Sequence, residues 1–269
     1  IRERGIPVIS EIEFAGRYKG VAKTICITGS NGKTTTTSLI YKIMRDAGRK
    51  VSLGGNIGES FAYSVATEKN FWYVLELSSF QLDGMTKFRA DVGVLMNITP
   101  DHLDRYDYKF ENYAASKMRI TQNQSSADAF IYSADDDMTR QMLDKMDSSL
   151  RARQLPFAIN TAIASGDGDA VLEGYTFTAS VGKQSVTIDT RKMQIHGMHN
   201  IYNAMAAALA TLAAGVEPRV IKRSIYDFSP VEHRLEPAGE RNGIRWINDS
   251  KATNVDSVWH ALERMQQPT

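Results

Sequence analysis

The chain has 269 residues, enough for one large domain or two modest ones, and its 42% hydrophobic and 23% charged content is that of an ordinary soluble globular protein. Its 32 basic and 31 acidic residues leave a net charge of +1, which gives no global electrostatic footprint for nucleic acid. No run approaches the roughly 18 apolar residues that span a bilayer, and the opening Ile1-Arg2-Glu3-Arg4-Gly5 has no signal-peptide core. The default compartment is therefore the cytoplasm, and neither membrane insertion nor a nucleic-acid partner is expected.

In chain order, the first 120 residues alternate short β-rich runs with helical ones, the pattern of a parallel sheet with crossover helices. Thr24–Thr28 reads as a strand, Thr34–Ala47 as a helix ended by Gly48, and Lys50–Leu53 as a second short strand. Trp72–Leu77 and Asp91–Met96 are continuous apolar runs, as expected of strands covered on both faces. Phe110–Gln122 reads as a helix, Ala129–Tyr132 as a strand, Met138–Met146 as a helix and Ser165–Asp169 as a turn or exposed loop. Tyr175–Ala179 and Ser185–Asp189 read as a hairpin around Gly182, followed by helices at Asn200–Ala214 and Pro218–Tyr226. After a composition shift near Ser229-Pro230 come a strand at Arg245–Asn248 and a helix at Asn254–Met265, too little to bury a core alone. The first 17 residues are orphaned in the same way, and the chain starts without Met, so a piece of a longer protein is expected. Cys26, the one cysteine, lies in the first apolar strand and reads as a buried, inert thiol.

Chemistry is concentrated where strands end. Thr28-Gly29-Ser30-Asn31-Gly32-Lys33-Thr34-Thr35 leaves a strand and opens a helix, where backbone N–H groups and the helix N-terminus can surround phosphates. Lys33 would bring charge toward the β/γ-phosphates, and the Thr34 hydroxyl could ligate Mg²⁺. The strict phosphate-loop spacing is broken, because Ile27 stands where its first glycine would fall. The bland alternative is a glycine-rich turn with a solvated lysine.

Glu76 ends an apolar strand, where ligands of open α/β sheets gather and where a carboxylate could hold Mg²⁺; the alternative is an edge glutamate facing water. His102, in Thr99-Pro100-Asp101-His102, should share that rim, or be merely exposed. Lys117 has no local motif and reads as a solvated helix lysine. His233-Arg234 and the Asn248–Asn254 run fit either a helix start capped by Asp249 or Ser250, or a ligand-binding loop.

Taken together, these residues resemble a Mur ligase. The match is carried by Gly29–Thr35, Gly54-Gly55-Asn56-Ile57-Gly58, Glu76-Leu77-Ser78-Ser79-Phe80-Gln81-Leu82 and Asp101-His102-Leu103-Asp104-Arg105-Tyr106. Lys117-Met118-Arg119-Ile120, His199-Asn200, His233-Arg234 and the Asn248–Asn254 run extend it. Within the family, Ser-Ser-Phe-Gln and Asn-Asp-Ser-Lys-Ala-Thr-Asn point to the member that adds D-glutamate.

The resemblance implies an α/β fold: a phosphate-loop-type central domain with a mostly parallel sheet flanked by helices, plus stubs of an N-terminal and a C-terminal Rossmann-like domain. It assigns 1–17 to a remnant of a UDP-binding domain, 18–230 to the ATP-binding domain and 231–269 to the start of an amino-acid-binding domain. It implies ATP-dependent ligation of D-glutamate to UDP-N-acetylmuramoyl-L-alanine through an acyl phosphate, in peptidoglycan precursor synthesis, by a monomer. A chain of this length is expected not to complete that reaction.

By the same resemblance ATP meets Gly29, Ser30, Asn31, Gly32, Lys33, Thr34, Thr35, Asn200, Arg234 and Asp249. The muramoyl-alanine end meets Asn56, Ser78 and Gln81, and Lys251 and Thr253 approach the phosphate and the incoming amino acid. Two Mg²⁺ ions are implied, one on Thr34 and Glu76, the other on His102 and Lys117. For the latter, Lys117 is expected to be carbamylated, which needs an unprotonated amine and so a depressed pKa. Lys33, Glu76, His102 and Lys117 form the catalytic set. The rivals are a sibling ligase or a folylpolyglutamate synthase-like enzyme, and a nucleotide-binding module without turnover.

Overall fold

A computed structural model of the chain describes residues 4–146, 150–160, 162, 168–229, 236–250, 252 and 255–262. It divides into two compact units, Ile1–Phe228 and Ser229–Thr269.

The first unit is built on a nine-stranded sheet. Its strands are β1 (Lys23–Thr28), β2 (Val51–Gly55), β3 (Trp72–Glu76), β4 (Val92–Leu95), β5 (Ala129–Ser133), β6 (Arg153–Ala158), β7 (Gly168–Glu173), β8 (Thr176–Val181) and β9 (Gln184–Asp189). They lie in the order β2-β3-β1-β4-β5-β6-β7-β8-β9, with every pair parallel up to β7 and the last two pairs antiparallel. The mostly parallel sheet flanked by helices is thus present. The hairpin expected around Gly182 is β8–β9, and its φ of 57° is the left-handed conformation that a tight turn assigns to glycine.

The helices are α1 (Glu11–Gly16), α2 (Lys33–Asp46), α3 (Phe61–Thr67), α4 (Ser79–Asp83), α5 (Phe110–Met118), α6 (Asp137–Met146), α7 (Met198–Ala213) and α8 (Pro218–Tyr226). Alternate strand residues face opposite layers. Cys26, Leu75, Leu95 and Phe130 join one core with Ile12, Phe61, Leu82, Tyr113 and Met142 from α1, α3, α4, α5 and α6. On the other face α2 packs against α7 and α8, with Leu39, Ile43 and the alanines 204 and 206–208 fully buried. Burial on both faces is why β1 and β4 read as unbroken apolar runs rather than alternating ones.

Several elements were not visible from sequence. Helix α1 follows an N-cap at Ser10 and buries Ile12 and Ala15 in the first unit, so these residues are part of that core. Helices α3 and α4 run only 7 and 5 residues, below the length at which a helical period shows, and rest on serine caps at Ser60 and Ser78. Strand β6 contains Pro156, a strand-breaking signal; β7 pairs only with Phe157 and Ala158, which leaves Pro156 outside that ladder. The turn or loop expected at Ser165–Asp169 is corrected at its end: Gly168 and Asp169 begin β7, and residues 165–167 lie outside the described ones. A Cβ on Gly168 would collide with the Ser180 carbonyl oxygen, so this glycine marks a close backbone approach rather than a turn.

The second unit contains the antiparallel pair β10 (Glu236–Arg241) and β11 (Ile244–Asn248) and helix α9 (Val255–Leu262). Among the described residues no helix is long and apolar enough to cross a membrane.

Candidate functional site

The central strand β1 has β3 on one side and β4 on the other, so the chain reverses direction across the sheet beside it. That switch point is where open α/β sheets bind ligands, beyond the C-terminal ends of the strands. Gly29–Thr35 lies there, leaving β1 and opening α2. Gly32 caps α2 in the left-handed conformation with φ 84°, and a Cβ on it would meet Asn203 Oδ1 at 2.6 Å. Gly29 has φ 144°, and a Cβ there would be 2.9 Å from the Met96 Cβ. Both glycines are therefore required by the backbone they adopt and by what lies against it.

Two lysines converge on one oxygen of this loop. Lys33 Nζ donates to Gly29 O at 2.8 Å and to Ser30 O at 2.9 Å, and Lys117 Nζ donates to the same Gly29 O at 2.9 Å. Lys117 is 2% exposed, and its ammonium lies 4.7 Å from the centre of the Tyr113 ring. Burial, and after it the positive charge of Lys33, pushes the Lys117 pKa well below its ordinary value, against the opposing pull of Asp101, Asp83 and Glu76. The local reading of a solvated helix lysine is thereby overturned, because α5 turns this residue inward beneath the loop.

Glu76 sits at the end of β3, level with Ile27 of β1, and is 2% exposed. Asn56 Nδ2 donates to Oε1 at 3.0 Å, and the Asn56 backbone N–H donates to the Glu76 carbonyl at 2.9 Å. The other carboxylate oxygen, Oε2, is buried without a partner among the described residues, as is the Thr99 hydroxyl. An unpaired buried carboxylate oxygen is costly unless a cation or donor completes it. The edge-glutamate alternative fails on burial alone. Thr34 and Thr35 are buried at the start of α2, 9% and 6% exposed.

His102 adopts the left-handed conformation, φ 50°, with its backbone N–H on Asp101 Oδ1 at 3.0 Å. Its side chain is 54% exposed; Asp101 Oδ2 lies 3.7 Å from Nε2 and the Phe80 ring 5.3 Å away. Among the described residues no three His, Cys, Asp or Glu side chains form a metal-ligating group.

Ser78 and Gln81 form a capping box at the start of α4. Ser78 Oγ accepts from Gln81 N at 3.3 Å and Gln81 Oε1 accepts from Ser78 N at 2.9 Å. Both residues therefore hold a helix start that faces the same rim as Glu76. Asn200 donates to His196 O at 2.9 Å and accepts from Asn203 Nδ2 at 3.0 Å. Asn203, which no sequence motif singled out, is 3% exposed, and its Oδ1 accepts from Thr36 Oγ1 at 3.1 Å, directly beside Gly32. Its only sequence signal is an amide on an otherwise alanine-rich buried helix.

Asp249 belongs to the second unit, where its carbonyl accepts from Ala252 N at 2.9 Å. Arg234, Lys251 and Thr253 lie outside the described residues.

A family model described as the Mur ligase middle domain matches residues 27–211. The UDP-N-acetylmuramoylalanine–D-glutamate ligase of Bacteroides fragilis is 52% identical over 269 residues, all of this chain and 59% of that protein. Those of Cytophaga hutchinsonii and Salinibacter ruber are 48% and 40% identical over 271 and 270 residues. The chain thus spans about three fifths of the length of the curated relatives it matches. Among solved structures, MurF of Acinetobacter baumannii matches with a TM-score of 0.74 at 20% identity, over 95% of this chain and 57% of that one. A murein peptide ligase of Psychrobacter arcticus matches with a TM-score of 0.67 at 19% identity, over 97% of this chain and 58% of that one. At those identities the structures share the fold.

Proposed function

The chain belongs to the Mur ligase middle-domain family, and from that premise we propose that it is the ATP-binding, acyl-phosphate-forming part of a ligase joining D-glutamate to UDP-N-acetylmuramoyl-L-alanine. The observation that carries this reading is that Lys33 and the buried Lys117 meet on one carbonyl of the loop, while the incompletely paired carboxylate of Glu76 ends the neighbouring strand β3. The relatives' names supply the D-glutamate and the muramoyl-alanine acceptor.

Moving a phosphoryl group from ATP to a carboxylate brings two anions together, so the residues must neutralise charge and hold the partners in line. The N–H groups at the start of α2 and the Lys33 ammonium are suited to the phosphates. Lys33 would leave the Gly29 and Ser30 carbonyls to do so. Magnesium would supply further charge neutralisation, and the buried, unpaired Glu76 Oε2 with the Thr34 hydroxyl forms an all-oxygen donor set that fits it. Asn56 fixes the carboxylate so that this oxygen stays available.

His102 and Lys117 are proposed to hold a second ion. The depressed Lys117 pKa keeps a neutral amine available for carbamylation, which would give this residue an oxygen ligand. Asn200 is proposed to meet the nucleoside, and Asn56, Ser78 and Gln81 to face the acceptor.

Calorimetric titration of the chain with MgATP tests the nucleotide reading, and a flat titration would refute it. A polypeptide carrying this chain at its relatives' full length should release phosphate from ATP only when both the muramoyl-alanine acceptor and D-glutamate are present. Binding without such release would leave a nucleotide-binding module instead.

A further inference from the structure

The phosphate loop is shaped by the segment that follows β4. Met96 N donates to Thr28 O at 3.0 Å and Ser30 N to Asn97 O at 3.0 Å, so the two chains continue as paired backbone beyond the strands. The Asn97 side chain then holds both backbone polar groups of one loop residue, Asn31. Its Oδ1 accepts from Asn31 N at 2.9 Å and its Nδ2 donates to Asn31 O at 3.2 Å.

Ser30 returns the grip. Its hydroxyl donates to Thr99 O at 2.8 Å and accepts from Thr99 N at 2.9 Å. The Tyr113 hydroxyl lies 3.1 Å from the same oxygen. A serine hydroxyl has one proton and two lone pairs, so once it donates to Thr99 O the Tyr113 hydroxyl must be the donor. Every valence of Ser30 Oγ is then used, and the residue is 5% exposed.

Three residues beyond Thr99 is His102, and one turn beyond Tyr113 on α5 is Lys117, which bonds Gly29 O. We propose that Ser30 and Asn97 are positioning residues, a clasp that presets the phosphate loop and ties it to the segment bearing Asp101 and His102. Loop and segment then move as one. A phosphate docking on the loop meets a backbone already ordered, and the histidine is held in register with it. The consequence for ATP rests on the function proposed above, but the coupling itself does not.

Hydrogen exchange of the ligand-free chain reads the coupling directly. In Ser30→Ala the amides of Asn31, Thr99 and His102 are expected to exchange about tenfold faster together, the rate change that loss of roughly one hydrogen bond brings, with β5 and α7 unchanged. Ser30→Thr keeps the hydroxyl and should exchange like the parent. Asn97→Asp, which sets an acceptor against Asn31 O, should loosen the same three amides and serves if Ser30→Ala does not fold. Faster exchange confined to Thr99, or to Asn31 alone, would overturn the clasp.

Titration with MgATP then separates the two ideas. If the parent binds, Ser30→Ala and Asn97→Asp should bind about tenfold more weakly; parental affinity in both would overturn the presetting of the loop for a phosphate. If the parent does not bind, the nucleotide reading fails, and the exchange pattern still decides whether the clasp exists.

Discussion

Among the described residues of the first unit two glutamates are buried, and the protein treats them in opposite ways. Glu13 of α1 is 1% exposed, and its Oε2 accepts from the backbone N–H groups of Thr86, Lys87 and Phe88 at 3.0, 2.9 and 2.8 Å while Arg17 reaches Oε1. Burial raises its pKa, but these donors together outweigh burial and bring it to about 2. Glu76 is 2% exposed and has Asn56 on one oxygen and nothing among the described residues on the other. A carboxylate that serves the fold is closed by its own chain, and one kept open at the end of a central strand is an invitation to a ligand.

The comparison is broken most sharply at Glu76. Glu76→Gln preserves shape and removes the charge, so ATP-dependent phosphate release by the full-length polypeptide should fall by about 10²–10³. The unfolding midpoint of the chain should stay level or rise, since no internal partner is lost. Unchanged turnover would return Glu76 to a structural role.

Glu13→Gln should do the reverse. The drop from 4.5 to about 2 corresponds to roughly 3 kcal/mol of folding stability, and MgATP affinity, measured where the variant is folded, should be unaltered. The sign gives a pH signature as well. A depressed carboxyl pKa stabilises the fold above about 4.5, and that contribution is lost as pH falls through about 2. Urea unfolding followed down through that window should show a slope in the parent that Glu13→Gln lacks.

Lys117 sharpens the contrast with a cation. Its pKa is depressed in the folded state, so the unfolded chain binds more protons and stability should rise with pH up to the ordinary lysine range. Lys117→Met removes that penalty, and the chain should gain on the order of 1 kcal/mol at neutral pH. Acceptor-dependent phosphate release by the proposed full-length polypeptide should be lost, and in Lys117→Ala short carboxylates should restore part of it. A destabilised Lys117→Met would mean that the bond to Gly29 O matters more to the fold than burial costs. The smallest effect expected is at Cys26, whose thiol burial pushes up to about 12. Thiol reagents should leave it unlabelled in the native chain and label it at once in denaturant.

Much of this was legible in the residues. The Gly29–Thr35 loop, the strands on either side and the helix after it follow from short-range rules: apolar runs, glycine where the backbone turns left-handed, a helix opening at Lys33. The sheet's parallel character followed from the same alternation. Local pattern failed where the signal was short or reversed, as at α3, α4, the Pro156 strand and the Gly168 strand start.

What the sequence by itself determined, then, was where the Gly29–Thr35 loop and Glu76 lie, at the ends of β1 and β3, because that depends on neighbours a few positions away. Tertiary structure decided which side chains were buried and what faced them. Glu76 is paired on one oxygen only because the chain 20 residues earlier brings Asn56 to it, and Lys117 is a neutralisable amine only because the fold buries it and brings the charge of Lys33 near it. Asn203 meets Thr36 from 167 residues away and had no local mark at all. Burial and long-range hydrogen bonds set the charge state and the open valence of a side chain, and neither is encoded in the residues that flank it.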